Sequence, residues 1–168
     1  MPHAVQPHGS RTSWQDPRQR PVLLVSTQGG HLAQLMVLQP WWATRERVWV
    51  CPDTPDVADR LAHERVVRSY SPTTRNPLNL VRNTLLAVRV IRRERPALVV
   101  SAGAGVAVPF FFAAWLRRIP TVFIEVYDRT DTPTLTGRLC GPFTTRRIVQ
   151  WPSQLTFYPD AYLVGPLL

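Results

Sequence analysis

The residues that could do chemistry lie in three short stretches, each directly after an apolar, β-rich run. Gly29-Gly30-His31 follows the first run, Gly103-Ala104-Gly105 follows a later one, and Glu125 closes a third. Glycines let a ligand approach the backbone closely, and a helix N-terminus that follows them favours an anion. An imidazole or a carboxylate beside that anion could bind it or transfer a proton.

Each stretch also has a purely structural interpretation. Gly29 and Gly30 could only turn the chain, with His31 a solvated residue of the next helix, and they do not make a GxGxxG fingerprint. Residues 103–105 could only let a helix pack closely on a sheet, and Glu125 could only bond a loop. The functional interpretation depends on all three meeting at one edge of a sheet.

Apolar runs and helical spacing alternate along the chain, which predicts an α/β fold with a doubly wound, mostly parallel, Rossmann-like sheet. In such sheets ligands bind beyond the carboxyl ends of the strands, where all three stretches would lie. The predicted strands are 21–26, 47–51, 65–69, 97–101, 121–125, 147–150 and 161–164. The predicted helices are 31–39, 53–63, 77–94, 106–118 and 134–141.

Two of these helices carry further information. In the helix 77–94, Leu78, Val81, Leu85, Val88 and Ile91 form one apolar stripe, and the arginines lie off it. The run 106–116 is apolar nearly all round and is followed by Arg117-Arg118. It is either a central core helix, or it presents aromatics such as Trp115 to a lipid surface beside arginines that attract anionic headgroups.

The composition of the chain says more about its binding partners than about its fold. The chain has 168 residues and a net charge of +9, and all 20 of its basic residues are arginine, which favours anionic partners. Cys51 and Cys140 lie in no metal-binding pattern, so no metal is expected. Residues 1–20 lack the apolar region of a signal peptide and are expected to be a disordered polar leader, followed by one domain over 21–168 in the cytoplasm.

Five motifs in order resemble a known family. GGH after the first strand, SAGAGVAVP, TVFIEVYDR, LTGRL and VQWP are similar to the Alg14-like glycosyltransferase subunits, and more distantly to the N-terminal half of MurG. The resemblance implies the N-terminal half of a GT-B glycosyltransferase split over two chains. It also implies that the sequence ends, at 164–168, where a two-domain enzyme would enter its second domain.

Site residues follow from the same resemblance. It implies His31, or else Glu125, as the catalytic base. It implies a cleft that binds the acceptor through Gly29, Gly30, Gly103, Ala104, Gly105, Arg129, Thr136 and Gly137. Gln150 and Trp151 would support the cleft or the contact with a partner chain, and Trp115, Arg117 and Arg118 would touch the membrane.

The function implied is an inverting transfer from a UDP-sugar, such as UDP-GlcNAc or UDP-glucose, to a polyprenyl-diphosphate-linked saccharide in surface polysaccharide synthesis. The chain would bind the acceptor and recruit an Alg13-like partner to the inner face of the cell membrane. It would need no bound cofactor and would be inactive alone. Two alternatives remain: a nucleotide-binding Rossmann module acting as a sensor or scaffold, and a basic nucleic-acid binder, for which no reading motif is visible.

Overall fold

The computed structural model describes residues 20–73 and 75–167, and the predicted leader lies outside them except for Arg20. The strands are β1 (Val22–Val25), β2 (Arg47–Pro52), β3 (Val66–Ser69), β4 (Leu98–Ser101), β5 (Thr121–Ile124), β6 (Arg146–Val149) and β7 (Tyr162–Leu163). The helices are α1 (Gly30–Val37), α2 (Gln39–Trp42), α3 (Pro55–Arg60), α4 (Pro77–Glu94), α5 (Ala107–Leu116) and α6 (Leu135–Cys140). Two 3-10 turns lie at Gly141–Phe143 and Pro152–Thr156.

The seven strands form one parallel sheet in the order β3-β2-β1-β4-β5-β6-β7. This confirms the predicted doubly wound, Rossmann-like fold. The strand order reverses between β1 and β4, which are neighbours in the sheet although β2 and β3 lie between them in sequence. Val25 at the end of β1 pairs with Ser101 at the end of β4. The loops that follow these strands therefore start side by side, at the place where such sheets bind ligands.

Hydrophobic layers cover both faces of the sheet, which explains why the central strands are continuous apolar runs rather than alternating ones. Every residue of β1 is buried. One layer packs the sheet against α1, α2 and α3 through residues such as Leu32, Trp42 and Val57. The other packs it against α4, α5 and α6 through residues such as Ile91, Phe111 and Cys140.

Four predicted helices are shorter in the structure: those over 106–118 and 134–141 lose one or two residues at each end, and two others differ more. The helix predicted over 31–39 ends at Val37, and α2 then begins at Gln39. Pro40 explains the break, because it has no N–H to continue the hydrogen bonds of α1 and is tolerated in the first turn of α2. The helix predicted over 53–63 is confined to Pro55–Arg60.

α4 has the predicted bounds, but of its predicted apolar stripe only Ile91, near the C-terminal end, lies on the packed face. Leu78, Val81 and Leu85 are exposed by 58%, 57% and 65%, whereas Asn79 and Asn83 are buried. Both asparagines are satisfied by hydrogen bonds: Asn79 donates to Pro72 O at 3.0 Å, and Asn83 bonds the N–H and C=O of Tyr70, each at 2.9 Å. Burying them thus costs little and fixes the rotation of α4, leaving the leucines outside.

The core-helix interpretation of α5 is confirmed for most of its length, because Phe110 and Phe111 are fully buried. Its C-terminal end differs: Trp115 and Leu116 are exposed by 52% and 55%, next to the exposed Arg117 and Arg118. Trp115 is held by an aromatic contact with Phe143, with ring centroids 5.5 Å apart. In the described part of the chain, no helix has both the length and the apolar character needed to cross a membrane.

Candidate functional site

The candidate site starts with a contact between the loops after β1 and β4. Nδ1 of His31, in the first turn of α1, lies 2.9 Å from the carbonyl oxygen of Ala102, the first residue after β4. A carbonyl can only accept, so Nδ1 carries the proton and the neutral ring has its lone pair on Nε2. The fold thereby fixes the tautomer that could remove a proton with Nε2.

His31 separates two small cavities at this edge of the sheet. The cleft cavity, of about 270 Å³, lies towards β5. Its lining is His31, Gly103, Ala104, Gly105, Val126, Asp128, Arg129, Thr134 and Thr136. The second cavity, also about 270 Å³, lies towards β3 and is lined by His31, Thr27, Gln28, Ser71, Pro72, Thr73, Ala104 and Gly105. A ligand could reach the imidazole from either side.

The small-residue turn after β4 fits closely against the histidine. A Cβ at Gly103 would lie 3.1 Å from both Cε1 and Nδ1 of His31, and Gly103 has a φ of 107°, which side chains rarely adopt. Ala104 also has a positive φ, of 71°. The turn therefore determines where the ring sits. Sequence reasoning identified this turn as a binding element but could not assign it this role.

Two backbone amides of these loops are already occupied by hydrogen bonds within the protein, which limits the anion binding predicted for the loops. The Gly29 amide donates to Oδ2 of Asp56 at 2.9 Å, and the Gly103 amide donates to Oγ of Ser101 at 3.2 Å. Gly29 and Gly30 are exposed and line neither cavity. The amide of Gly29 also holds the pKa of Asp56 below its ordinary value, with help from Arg60.

Glu125 follows β5 as predicted, but its carboxylate is completely buried and lines neither cavity. Oε1 accepts hydrogen bonds from Thr134 Oγ1 at 2.8 Å and from the Val126 amide at 3.2 Å. Oε2 accepts from the Tyr158 hydroxyl at 2.7 Å. The carboxylate thus lies beneath the cleft cavity and bonds residues around it, including Thr134, which does line that cavity.

Thr134 connects Glu125 to the start of α6. Its Oγ1 donates to Glu125 and accepts from the Gly137 amide at 3.0 Å, so the same hydroxyl caps the helix. A Cβ at Gly137 would lie 2.6 Å from Oε2 of Glu125 and 2.7 Å from the Tyr158 hydroxyl. Gly137 is therefore required for the packing of the carboxylate, whereas sequence reasoning placed it in contact with substrate.

Tyr158 is the partner that sequence reasoning missed, because it lies in an irregular segment with no pattern around it. Burial, and then the hydrogen bond to Glu125, raise the pKa of Tyr158. The hydroxyl therefore stays protonated and donates a hydrogen bond to the carboxylate. The guanidinium of Arg147 stacks on its ring, 3.9 Å from the centroid. Arg147 also donates to the carbonyl of Gly137 at 3.2 Å, so the cluster is tied to α6.

Two buried glutamines hold the loop between β5 and α6. Nε2 of Gln154 donates to the carbonyls of Val126 and Arg129, at 3.0 and 2.9 Å. Nε2 of Gln150 donates to Glu125 O at 2.8 Å and to Gln34 of α1 at 2.7 Å. Trp151 donates through Nε1 to Tyr127 O. The predicted supporting role of Gln150 and Trp151 therefore has a geometric basis, to which Gln34 and Gln154 are added.

The structure therefore brings together six of the predicted site residues around one cavity: His31, Gly103, Ala104, Gly105, Arg129 and Thr136. Trp115, Arg117 and Arg118 lie at the opposite, amino-terminal end of the sheet, because α5 runs back from the end of β4 to the start of β5. Among residues 20–73 and 75–167, no three His, Cys, Asp or Glu side chains form a group that could hold a metal ion.

Comparison with protein families gives one assignment. Residues 57–167 match the family model described as "Oligosaccharide biosynthesis protein Alg14 like". Among curated proteins, the chain is similar to UDP-N-acetylglucosamine--N-acetylmuramyl-(pentapeptide) pyrophosphoryl-undecaprenol N-acetylglucosamine transferases. It is 31% identical to that of Oceanobacillus iheyensis over 96 residues, which are 56% of this chain and 26% of that protein. With that of Geobacillus thermodenitrificans it is 32% identical over 78 residues, or 46% and 21%.

Solved structures agree on the fold. The crystal structure of Acinetobacter baumannii MurG superimposes with a TM-score of 0.70 at 18% identity, covering 87% of this chain and 45% of that one. UDP-GlcNAc 2-epimerase from Neisseria meningitidis, bound to UDP-GlcNAc, gives a TM-score of 0.64 at 14% identity, covering 86% and 46%. The chain thus spans about a quarter of the length of its curated relatives and under half of these structures.

Proposed function

The chain belongs to the Alg14-like family of oligosaccharide biosynthesis proteins, and from that premise we propose that it is the acceptor-binding half of an inverting glycosyltransferase. The acceptor is a saccharide linked to a polyprenyl diphosphate, and the donor is a UDP-sugar. The observation that carries the proposal is the His31–Ala102 contact, which holds the imidazole of His31 at two cavities where the strand order reverses. The names of the curated relatives, which describe transfer to a pyrophosphoryl-undecaprenol acceptor, support the substrate class.

In the proposed reaction an acceptor hydroxyl attacks the anomeric carbon of the donor sugar from the face opposite UDP. The new C–O bond forms as the bond to the UDP oxygen breaks, and Nε2 of His31 takes the hydroxyl proton. UDP leaves with the bonding electron pair. Arg129, which lines the cleft cavity, supplies positive charge for the acceptor diphosphate.

Glu125 has a supporting part in this proposal rather than the role of base. Its carboxylate already accepts three hydrogen bonds and is completely buried, so it has no path to an acceptor hydroxyl without leaving Thr134 and Tyr158. It positions Thr134, and through Thr134 the first turn of α6, against the cleft cavity. Gln150 and Gln154 position the preceding loop in the same way.

Recruitment to the inner face of the cell membrane is the second part of the proposal. Trp115 and Leu116 at the end of α5 are exposed beside Arg117 and Arg118, a combination that suits an interface with anionic headgroups. The outer face of α4 extends this surface. It carries the exposed Leu78, Val81, Leu85 and Val88 and the exposed Arg82, Arg89 and Arg92. Because α4 runs the height of the sheet, its face would bring the cleft edge close to the membrane.

The other half of the enzyme is, in this proposal, an Alg13-like polypeptide that holds most of the UDP-sugar site. The two solved structures are each about twice as long as the part on which this chain superimposes. The chain alone should then release no UDP. The pair acts in the synthesis of a surface polysaccharide.

Reconstitution tests the proposal. The chain, an Alg13-like polypeptide from the same organism, or both are added to anionic vesicles that carry a polyprenyl-diphosphate-linked sugar, with a panel of UDP-sugars. UDP release and labelled lipid-linked product are measured. We expect product only when both chains are present, with one donor preferred. Absence of product with every donor, together with tight binding of a nucleotide by this chain alone, would instead point to a nucleotide sensor.

A further inference from the structure

A third and larger cavity adjoins the cleft, and the proposed function does not account for it. This groove has a volume of about 830 Å³, which is three times that of either the cleft cavity or the second cavity, the two polar cavities beside His31. The first turn of α4 forms one wall, α6 forms the other, and the first turn of α5 lies at its base. Its lining is Thr73, Arg75, Asn76, Pro77, Leu80, Gly105, Val108, Leu135, Thr136 and Leu139.

The walls of the groove carry leucines that the fold does not need. Leu80, Leu135 and Leu139 are exposed by 49%, 72% and 50%, and none of them belongs to the hydrophobic layers against the sheet. They come from two separate helices and converge on one depression. A groove of this volume with apolar walls and few polar groups is the usual form of a site for an apolar small molecule.

The groove is continuous with both polar cavities. It shares Gly105 and Thr136 with the cleft cavity and Thr73 and Gly105 with the second cavity. A single ligand could therefore place an anionic, polar part beside His31 and an apolar part between α4 and α6. The exposed Arg75, also in the lining, adds a positive charge on the same side.

We propose that this groove binds the first isoprenoid units of the acceptor, those next to its diphosphate. The inference rests on the proposed function, because it assumes that the diphosphate lies in the cleft. In addition, the chain would bind the lipid part of its acceptor directly, outside the bilayer, and not only the sugar and the diphosphate. Lipid length and branching near the diphosphate would then contribute to acceptor choice.

Binding without vesicles tests this. Calorimetric titration of the full chain uses inorganic diphosphate and then dimethylallyl, geranyl and farnesyl diphosphates, which carry one, two and three isoprene units. A fully buried CH₂ group raises affinity about fourfold. We therefore expect the affinity to rise about tenfold or more with each added isoprene unit, until the open groove is filled. Equal affinity across the series would overturn the inference while leaving a diphosphate site in the cleft.

Variants then locate the binding. Two variants remove the apolar walls: the double variant Leu135→Asn, Leu139→Asn, and separately Leu80→Asn on the other wall. Each should weaken the binding of farnesyl diphosphate by about tenfold and change the affinity for inorganic diphosphate by less than about twofold. Leu163→Asn, an exposed leucine on the edge strand β7, is the matched control. Using both walls keeps the test valid if one variant lowers the melting temperature. An unchanged length dependence in both would place the lipid elsewhere and overturn the inference.

Two further outcomes distinguish a failure of the proposed function from a failure of the groove assignment alone. If neither inorganic diphosphate nor any prenyl diphosphate binds, the cleft does not hold the acceptor, and the proposed function fails together with the groove. If the wall variants retain the length dependence but no longer associate with the Alg13-like chain, the groove belongs to a protein interface, which also overturns the lipid assignment.

Discussion

His31 and Ala102, 71 residues apart in sequence, are joined by a 2.9 Å hydrogen bond from the imidazole Nδ1 to the carbonyl oxygen. The bond crosses the point where the strand order reverses, so the two halves of the sheet hold the ring between them. It also decides which nitrogen can act as a base. The candidate chemistry of this chain therefore depends on the contact between the loops that follow β1 and β4.

Gly103→Ala should move the histidine. The new Cβ would lie 3.1 Å from Cε1 and Nδ1 of His31, on a backbone with a φ of 107°. We expect turnover of the reconstituted pair to fall by about tenfold or more and stability to fall by about 1–3 kcal/mol. Gly30→Ala, whose Cβ meets nothing within 4 Å, is the control. Equal activity of the two variants would show that the ring does not depend on the turn.

The buried carboxylate should act on stability as well as on rate. Glu125→Ala leaves the hydroxyls of Thr134 and Tyr158 without their acceptor, which costs about 1–3 kcal/mol in unfolding free energy. Gly137→Ala should have the same effect from the other side, since its Cβ would lie 2.6 Å from Oε2. Denaturant unfolding and steady-state kinetics are measured on both. A loss of turnover in Glu125→Ala with unchanged stability would instead indicate a direct role in proton transfer.

Membrane binding should be specific to one side of the molecule. Arg117→Glu reverses a charge beside the exposed Trp115, and we expect binding to anionic vesicles to weaken by about tenfold or more at low salt. Arg45→Glu makes the same change in the turn after α2, a helix that packs on the other face of the sheet, and should have little effect. Co-sedimentation over a range of salt concentrations measures both. Equal weakening by the two substitutions would mean that overall charge, rather than this surface, drives binding.

The two cysteines should be inert in the folded protein. Burial raises the pKa of each thiol from 9.0 to about 12. A raised folded-state pKa stabilises the fold fully below pH 9 and loses that contribution as the pH rises towards about 12, because the unfolded chain ionises first. Unfolding free energy should thus decline above pH 9, less steeply in a Cys51→Ala, Cys140→Ala variant. Rapid alkylation of the native protein at pH 8 would contradict this.

The sequence was sufficient to predict the order of the elements and the edge of the sheet where the site lies. Periodicity gave the bounds of α4, with Pro77 at its start, but not its orientation. Two buried asparagines turn toward the core because backbone groups of Tyr70 and Pro72 satisfy them, and no hydropathy pattern contains that information.

The site was predicted as a set of residues rather than as an arrangement. The environment of Glu125 depends on Tyr158, 33 residues further along in an irregular segment. The tautomer of His31 depends on one distant carbonyl, and the amide of Gly29 is taken by Asp56 of α3. Such contacts arise only when the sheet is assembled. Motif order could therefore suggest the participants, whereas their separate roles as candidate base and positioning groups required the structure.

The most direct test of the central claim is the turnover of His31→Asn in the reconstituted pair. An asparagine amide can still donate to a carbonyl in place of Nδ1, but it cannot accept a proton from the acceptor hydroxyl. We predict a fall in kcat of about 10²-fold or more, with the KM for the lipid-linked acceptor and the melting temperature nearly unchanged. Wild-type kcat in this variant would remove His31 from the chemistry and contradict the account.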